Sequence, residues 1–350
     1  MLCLDSVSKT FPDFSLKSVS FTVEKGDYFI LLGESGAGKS IVLETIAGLV
    51  IPDSGTITLE KKEIANEKIQ HRGIGLVFQD HAVFPHLTVA ENISYSLHGM
   101  PLTKKEKQIK INHIAIELGI EDLLLRYPST LSGGELQRVA LGRSLVQNPL
   151  ILLLDEPLSS LDSKLKSELR RLLRKIHACG QTILHVTHDY EEALSLGTKI
   201  AVIQDGRIVQ VGSPSEVFHQ PVNEFVANFI GIRNFFRATL ATVNRVTFAH
   251  INENIAIRIV SESTEGEGFI LIRGEDIFLS VEPVDTSATN NFEGRIVEII
   301  PTRGGLDVIV DIGIELHALV THESVEHFEL TAGKTCRLHF KATAVRFINN

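Results

Sequence analysis

Residues 27–49, "DYFILLGESGAGKSIVLETIAGL", carry the most specific pattern in the first part of the chain. It opens with the continuous apolar run "DYFILLG" (27–33), which is typical of a buried strand. It closes with "KSIVLETIAGL" (39–49), in which apolar residues recur at helical spacing. The turn from Gly33 to Ser40 between them fits the spacing G-x-x-x-x-G-K-[ST]. Strand, glycine-rich loop and helix in this order predict a phosphate-binding loop.

The chemistry of such a loop depends on its backbone. Glycines let the chain fold around an anion, so that consecutive N–H groups at the positive end of a helix face a phosphate. Lys39 would neutralise β- and γ-phosphate oxygens, and the Ser40 hydroxyl can ligate Mg²⁺. The alternative is a glycine-rich turn without a ligand. The expected nucleotide contacts here are Gly33, Glu34, Ser35, Gly36, Ala37, Gly38, Lys39, Ser40 and Ile41.

Further apolar runs alternate with helical patterns up to about residue 230. "SKLKSELRRLLRKIHACG" (163–180) has the pattern of an amphipathic helix that ends at a glycine C-cap. Apolar strands that alternate with helices predict a parallel α/β sheet covered on both faces. The expected strands are "PLILLLDEP" (149–157), "QTILHVTHD" (181–189) and the pair "KIAVIQDGRIVQVG" (199–212), which turns at Asp205-Gly206.

The texture of the sequence changes after Gly231. From Phe235 to Asn350 the helical patterns disappear, and short alternating segments separated by Gly, Asn and Asp take their place. This predicts a second, all-β domain of small-barrel type over residues 235–350, after a first domain over residues 1–231. Phe236-Arg-Ala and Phe292-Glu-Gly open two similar stretches, which indicates a faint internal repeat.

Composition excludes several classes of protein. A net charge of −9 argues against a nucleic-acid binder with a broad basic surface. No apolar run approaches the roughly 18–20 residues that span a bilayer. The N-terminus lacks the pattern of a secretory signal, and the three cysteines have no metal-binding spacing. These features predict a soluble, cytosolic protein.

Two carboxylates follow an apolar strand. Asp155 lies at the carboxyl end of the run 151–154, where ligands of open α/β sheets bind. A carboxylate there can hold Mg²⁺, and the adjacent Glu156 could take the proton from an attacking water. In isolation such a pair is usually a helix cap or a solvated turn, but the phosphate loop favours the catalytic interpretation.

A second glycine-rich loop, "LSGGELQ" (131–137), also precedes a helical pattern. Ser132 and the two glycines would expose backbone N–H groups at a helix N-terminus, which is a second anion cradle. The alternative is a Ser N-cap with glycines in a tight turn. With one loop already on the nucleotide, the second would close over the γ-phosphate from the opposite side.

The order of phosphate loop, "VFQD", "LSGGELQ", "ILLLDEP", "SSLD" and "VTHD" resembles the ATP-binding subunit of an ABC transporter over about residues 2–231. The resemblance implies a P-loop ATPase with a mixed sheet and a helical subdomain at about 80–148. In that family two ATPase domains pair head to tail, with ATP between the phosphate loop of one and the signature loop of the other. The signature contacts would be Ser132, Gly133, Gly134 and Gln137.

Further roles follow from the resemblance alone. Phe11 would stack on adenine, with Phe14 as a competitor. Gln79 would touch Mg²⁺ or the attacking water and relay nucleotide state, and Asp162 would span the dimer interface. His188 would contact the γ-phosphate, although a histidine after a strand is more often plain core. Segment 81–97 would form the groove for a transmembrane partner.

The sequence departs from the family pattern at three positions. Ile41 stands where Thr is common, which removes a hydroxyl contact to the α-phosphate. Glu34 replaces a common Pro, and Ser160 replaces the Ala of the "SALD" loop. None of these changes removes a group that carries the chemistry, so we expect activity to survive.

The C-terminal part of the sequence narrows the resemblance to the ATPases of importers. "LIRGEDIFLS" (271–280) is similar to a segment of the oligonucleotide-fold (TOBE/MOP-like) domains of importer ATPases, with Gly274 in place of Pro. The ending "HFKATAV" looks most like the molybdate/tungstate class, in which this domain can bind the oxyanion and stop transport. "IPTRGG" (300–305) and "FKATAV" (340–345) are the candidate binding loops. Alternatively, the domain only packs against the same domain of a second subunit and helps the subunit to dimerise.

The leading hypothesis is therefore an ATPase that drives uptake. It would form a homodimer on the cytoplasmic face of the membrane, with permease subunits, an extracytoplasmic solute-binding protein and no nucleic acid as partners. Sulfate, polyamine, ferric iron and sugar importers are the alternative substrate classes. A non-transport ABC ATPase would usually carry coiled-coil insertions or two cassettes, and a vestigial ATPase would not keep Lys39, Asp155, Glu156 and His188.

Overall fold

The computed structural model describes residues 1–261, 263–302 and 304–349. The chain forms two compact units, residues 1–219 and 220–350. The sequence-based domain limits at 231 and 235, and the helical subdomain at about 80–148, stay predictions. Across the part of the chain that the structure describes, we find no helix that combines the length and the apolar character needed to span a bilayer.

The first unit combines strands and helices in an alternating order. Its elements are β1 (Leu2–Thr10), β2 (Ser15–Val23), β3 (Tyr28–Leu32), α1 (Lys39–Ala47), β4 (Ser54–Leu59), β5 (Lys62–Glu63), β6 (Ile74–Val77), α2 (Val89–Tyr95), α3 (Lys104–Leu118), α4 (Gly133–Leu145), β7 (Ile151–Asp155), α5 (Ser163–Ala178), β8 (Ile183–Thr187), α6 (Tyr190–Leu196), β9 (Lys199–Gln204), β10 (Arg207–Gly212) and α7 (Pro214–His219).

The main sheet of this unit has the order β10-β9-β3-β8-β7-β6. Its pairs are parallel from β9 to β6, and only β10 runs antiparallel, joined to β9 by a turn at Asp205 and Gly206. Every residue of β3 and of β8 is buried. The predicted parallel α/β sheet and its hairpin are therefore confirmed, and the carboxyl ends of β3, β8, β7 and β6 share one edge.

A smaller antiparallel sheet, β2-β1-β4-β5, completes the core of the first unit. One hydrophobic cluster joins residues of both sheets to helix α1, whose Val42, Leu43 and Ile46 are at most 1% exposed. Because α1 is anchored along its buried face, the loop in front of it is held between two packed elements.

Helix α5 shows how the local pattern sets an element. Its buried residues Leu169, Leu172, Leu173 and Ile176 have the spacing of one helical face. The expected glycine C-cap is wrong by one position: the helix ends at Ala178 and Cys179 is the cap, while Gly180 follows with φ 95°. Glycine therefore takes the left-handed position just after the cap.

The second unit is mainly β-structure, as the sequence predicts. Its elements are α8 (Glu224–Phe229), β11 (Asn234–Val243), β12 (Val246–His250), β13 (Ala256–Ile259), β14 (Gly266–Ile272), β15 (Phe278–Ser280), β16 (Asn290–Thr302), β17 (Gly305–Asp311), β18 (Glu315–Val320), α9 (His322–His327), β19 (Thr335–Phe340) and β20 (Val345–Asn349). The short helix α9 corrects the expectation that no helix follows Phe235; the Thr321 side chain caps it by accepting from Ser324 N–H.

The second unit repeats one topology twice. One sheet has the order β13-β12-β11-β14-β20 and the other β18-β17-β16-β19-β15, so β11–β14 and β16–β19 follow the same path. Phe236 and Phe292, which open the two similar stretches, lie on the central strands β11 and β16. Both sheets contribute to one hydrophobic core. The topology thus supports the internal repeat.

Candidate active site

The glycine-rich loop between β3 and α1 adopts a backbone that favours glycine at two positions. Gly36 and Gly38 have φ of 84° and 102°, in the left-handed region. A Cβ on Gly38 would lie 2.5 Å from the Phe14 ring. Phe14 also packs against the core of the unit. The loop is therefore shaped by close packing on one side, while Glu34 and Ser35 remain exposed on the other.

Lys39 lies at the first position of α1 with its ammonium turned back over the loop. Its Nζ donates to the carbonyls of Gly33 and Glu34 at 3.0 and 2.8 Å, and it is 3.7 Å from Glu156 Oε1. Burial lowers the pKa of Lys39, whereas the carboxylates of Glu156 and Asp155 oppose that shift. A cation is thus held between the loop and two acidic groups.

Ser40 and Asp155 form an oxygen pair at the edge of the main sheet. Ser40 Oγ donates to Asp155 Oδ1 at 3.1 Å. Asp155 ends β7, and burial raises its pKa, with Glu156 adding to the shift and the Ser40 hydrogen bond and Lys39 opposing it. The next residue of the helix, Ile41, packs against the hydrophobic core instead of offering a polar group.

Glu156 and His188 meet above the same edge. His188 Nδ1 is 3.1 Å from Glu156 Oε1. Glu156 has φ 43°, unusual for a non-glycine residue, and its N–H donates to the Val186 carbonyl of β8. The structure therefore brings Lys39, Ser40, Asp155, Glu156 and His188 together. Their catalytic roles stay predictions.

Gln79 and Phe11 lie on the periphery of this group. Gln79 follows β6, the neighbour of β7 in the sheet, and is exposed. Both rings are half-buried, but Phe11 has Lys9 Nζ 6.0 Å from its ring centroid, whereas Phe14 packs against the hydrophobic core. This difference favours Phe11 over its competitor as the ring that could stack on a base.

The "LSGGELQ" residues form a second, separate group. Ser132 is the N-cap of α4: its Oγ and N–H both donate to Glu135 Oε2, at 2.8 and 2.7 Å. Gly133 and Gly134 open the helix, and Gln137 is only 1% exposed. Within the described ranges, no hydrogen bond or ion pair connects Ser132 to the phosphate loop. Ser132 is therefore a helix N-cap, as the alternative interpretation expects. Its expected role towards the nucleotide of a second chain stays a prediction.

Asp162 has a similar capping geometry. Its Oδ1 accepts from the N–H groups of Lys164 and Leu165 at 3.0 Å each, at the start of α5. A carboxylate in this position stabilises the helix by itself. Its expected role at a dimer interface stays a prediction.

Sequence reasoning missed a buried polar group beneath His188. Tyr28, His185 and Glu192 are at most 2% exposed, and Thr187 joins them through its hydroxyl. A glutamate in the helical pattern "YEEAL" normally indicates an exposed face, and a histidine inside an apolar strand has no signal of its own. Only the "VTHD" segment pointed near this place.

Strand, glycine-rich loop, helix and paired carboxylates at the edge of a parallel sheet define a P-loop nucleoside triphosphatase. The family profile described as ABC transporter matches residues 16–159, and the one described as TOBE domain matches residues 286–347.

Whole-chain comparisons extend this result. The molybdate/tungstate import ATP-binding protein of Pyrococcus abyssi is 42% identical over 351 residues, with 99% of each chain covered. The spermidine/putrescine import ATP-binding protein of Thermotoga maritima is 44% identical and covers 85% of this chain and 83% of its own. A solved dimeric ATP-binding cassette in a post-hydrolysis state, with ADP and phosphate, is 29% identical with a TM-score of 0.55, covering 61% of this chain and 99% of its own. The chain belongs to the ABC transporter family, as an ATP-hydrolysing subunit of an importer.

Proposed function

We propose that this importer subunit energises uptake of molybdate or tungstate through a separate membrane permease. The observation that carries the proposal is similarity along the whole chain, tail included, to proteins named molybdate/tungstate import ATP-binding proteins, at 42% and 39% identity over 99% of each chain. Two polyamine relatives align over 85% and 93% of this chain at 44% and 33% identity, and a sulfate relative aligns over 88% at 36% identity. These remain the alternative substrate classes.

In the proposed reaction Glu156 accepts a proton from the attacking water, and His188 contacts the γ-phosphate. The Lys39 ammonium, already oriented over the loop, neutralises charge that develops on the phosphate oxygens. The 3.1 Å pair of Ser40 Oγ and Asp155 Oδ1 supplies hard oxygen donors suited to Mg²⁺, and the family resemblance adds the Gln79 side chain as a further ligand. When bound, Mg²⁺ would neutralise the β- and γ-phosphates.

The second half of each site would come from a twin subunit. The resemblance assigns Ser132, Gly133, Gly134 and Gln137 to the γ-phosphate of the opposite chain, and Asp162 to the interface. The solved relative in a post-hydrolysis state is itself a dimer. A separate signature group in one chain is what a head-to-tail pair requires.

A groove supports docking of the permease. A cavity of about 810 Å³ in the first unit is lined by residues of β6, by Phe78, His81 and Ala82 next to Gln79, and by Arg143 of α4. A segment of the permease seated there would contact the chain next to Gln79, the residue expected to relay nucleotide state. This arrangement would hold the subunit at the cytoplasmic face of the membrane, with a solute-binding protein delivering substrate outside.

An uptake assay tests the substrate. The chain reconstituted with its permease should accumulate molybdate and tungstate in an ATP-dependent manner, with spermidine and sulfate transported at least about tenfold more slowly. The Lys39→Ala subunit serves as the inactive control. Spermidine or sulfate accumulation without molybdate would assign the chain to another importer class and leave the ATPase intact.

A second candidate function, oxyanion sensing, is favoured by a cavity in the second unit. This cavity, of about 400 Å³, lies between the equivalent connectors that follow β14 and β19. Three cations line it, Arg273, Lys341 and Arg346, together with Thr343 of "FKATAV". Two carboxylates of the connector after β14, Glu275 and Asp276, also line the cavity. Glu275 pairs with Arg273 of the same connector at 3.2 Å. In the other candidate loop, "IPTRGG", Arg303 lies outside the described residues.

Calorimetry on the intact chain tests this second function. Molybdate should bind, and Lys341→Ala should weaken binding by about tenfold or more, because a charged hydrogen-bond donor is lost. Arg237→Ala removes an exposed cation of β11 that pairs with Glu267 and should change nothing. If no binding heat is measured, the domain does not sense the oxyanion and only packs against the same domain of a second subunit. Deletion of the residues after Arg233 would then weaken the dimer and change nothing else.

A further inference from the structure

A chain of buried polar groups crosses the main sheet below His188. Tyr28 Oη and His185 Nδ1 are 3.0 Å apart, and His185 Nε2 is 3.5 Å from Glu192 Oε2. The same carboxylate oxygen accepts the Thr187 hydroxyl at 2.8 Å. Buried charges and hydroxyls are costly unless they are paired, so the Tyr28–His185 and Thr187–Glu192 contacts hold their partners in place.

The charge state of the network is fixed by its surroundings. Burial alone would raise the pKa of Glu192, but contacts with His185 and Thr187 hold that pKa below its usual value. Burial raises the pKa of Tyr28 well above its usual range, and the charge of Glu192 adds to the shift. Glu192 is therefore an ionised acceptor at neutral pH, and Tyr28 remains a neutral phenol.

The network ends at the turn that carries His188. The Thr187 hydroxyl donates to Glu192 and accepts from Asp189 N–H at 3.0 Å, so it ties the residues on both sides of His188. Asp189 in turn caps α6 by accepting from the N–H groups of Glu191 and Glu192. The His188 side chain is 51% exposed. Its direction thus depends on the backbone turn.

The same turn contacts the rest of the active site. The Thr187 carbonyl accepts from Gly33 N–H at 3.3 Å, at the start of the phosphate loop. The Val186 carbonyl accepts from Glu156 N–H at 3.0 Å. A shift of this turn would therefore move His188 relative to both the loop and Glu156, and misplacements near 1 Å can cost up to about 100-fold in rate.

We propose that Thr187 and Glu192 are positioning residues for ATP hydrolysis: together they hold the 187–189 turn so that His188 faces Glu156 and the γ-phosphate. The inference rests on the role proposed above for His188. Neither side chain belongs to the phosphate loop or to the other expected nucleotide contacts, so the proposal predicts loss of kcat with little change in the KM for ATP.

The test uses Thr187→Val in the full chain, with Thr187→Ser as the conservative variant. Thr187→Val removes the hydroxyl at nearly constant volume, and kcat should fall about tenfold or more. Thr187→Ser keeps the hydroxyl and should retain most of the wild-type activity. Thr182→Val is the matched control. Thr182 stands at the opposite end of β8, is 6% exposed, and its hydroxyl accepts from Gly26 N–H at 3.0 Å.

Combination with His188→Ala separates the possible outcomes. If Thr187 acts through His188, Thr187→Val should cause no further loss in the His188→Ala background. A full additional loss there, or an equal loss in Thr182→Val, overturns the inference. If His188→Ala alone keeps the wild-type kcat, the role proposed for His188 fails instead. Glu192→Gln keeps a hydrogen-bond acceptor but removes the charge, so its kcat should fall less than that of Thr187→Val. A wild-type kcat in Thr187→Val contradicts the proposal outright.

Discussion

Glu156→Gln should retain ATP binding and lose hydrolysis by a factor of about 10² to 10⁴, the usual contribution of a general base. The amide has nearly the same shape as the carboxylate, so the turn after β7 should persist, but the amide cannot accept the proton of the attacking water. His188 Nδ1, 3.1 Å from Glu156 Oε1, can still contact the amide. Because ATP would not be turned over, the variant should also accumulate as an ATP-bound dimer.

Turnover and light scattering with ATP and Mg²⁺ measure the two parts of this prediction. Glu168→Gln provides the control, because Glu168 is a half-exposed carboxylate of α5 that lies 3.7 Å from Arg138. It should change neither quantity. Near-normal turnover in Glu156→Gln would remove Glu156 from the role of base, whatever the state of association.

The main sheet of the first unit could be predicted because its strands β3, β7 and β8 are almost entirely buried. Strands β1, β2 and β4 of the smaller sheet mix buried and exposed residues, so no continuous apolar run locates them. Continuous apolar runs ending in glycine or a carboxylate locate β3, β7 and β8, and the glycines at 36 and 38 occupy left-handed backbone positions. Helix α9 escaped prediction because it spans only six residues and depends on the Thr321 cap, which no apolar periodicity accompanies.

The active site could also be predicted from the sequence only in part. Groups at or just after strand ends, such as Asp155 and His188, follow from the shared edge of a parallel sheet, and Lys39 follows from the glycine-rich loop that leaves the same edge. Tyr28, His185 and Glu192 do not, because burial of a polar side chain depends on partners distant in sequence, here up to 157 residues apart. The grouping of Ser132 with a phosphate loop requires a second chain, and it rests on family resemblance.

Ser132→Arg should leave nucleotide binding to the phosphate loop within about twofold while lowering hydrolysis at least about 100-fold. A long cation would fill the cradle proposed for the γ-phosphate of the opposite subunit and prevent closure of the dimer. Ser132 also caps α4, and loss of a cap alone costs about 1 kcal/mol of stability. Thr103→Arg therefore serves as the matched control, since Thr103 and Glu106 form the same capping box on α3, with a side-chain contact of 2.7 Å.

Mixing two inactive variants tests the arrangement between chains. A dimer of one Ser132→Arg and one Lys39→Ala subunit pairs the intact phosphate loop of the first with the intact signature loop of the second, so one of its two sites is complete. Random pairing should then restore up to about a quarter of the wild-type rate, although neither variant is active alone. If the mixture stays inactive while a wild-type and Ser132→Arg mixture retains activity, or if a monomer hydrolyses ATP at full rate, ATP is not shared between two chains. Full activity in Thr103→Arg, by contrast, would show that losing a helix cap does not explain the loss in Ser132→Arg.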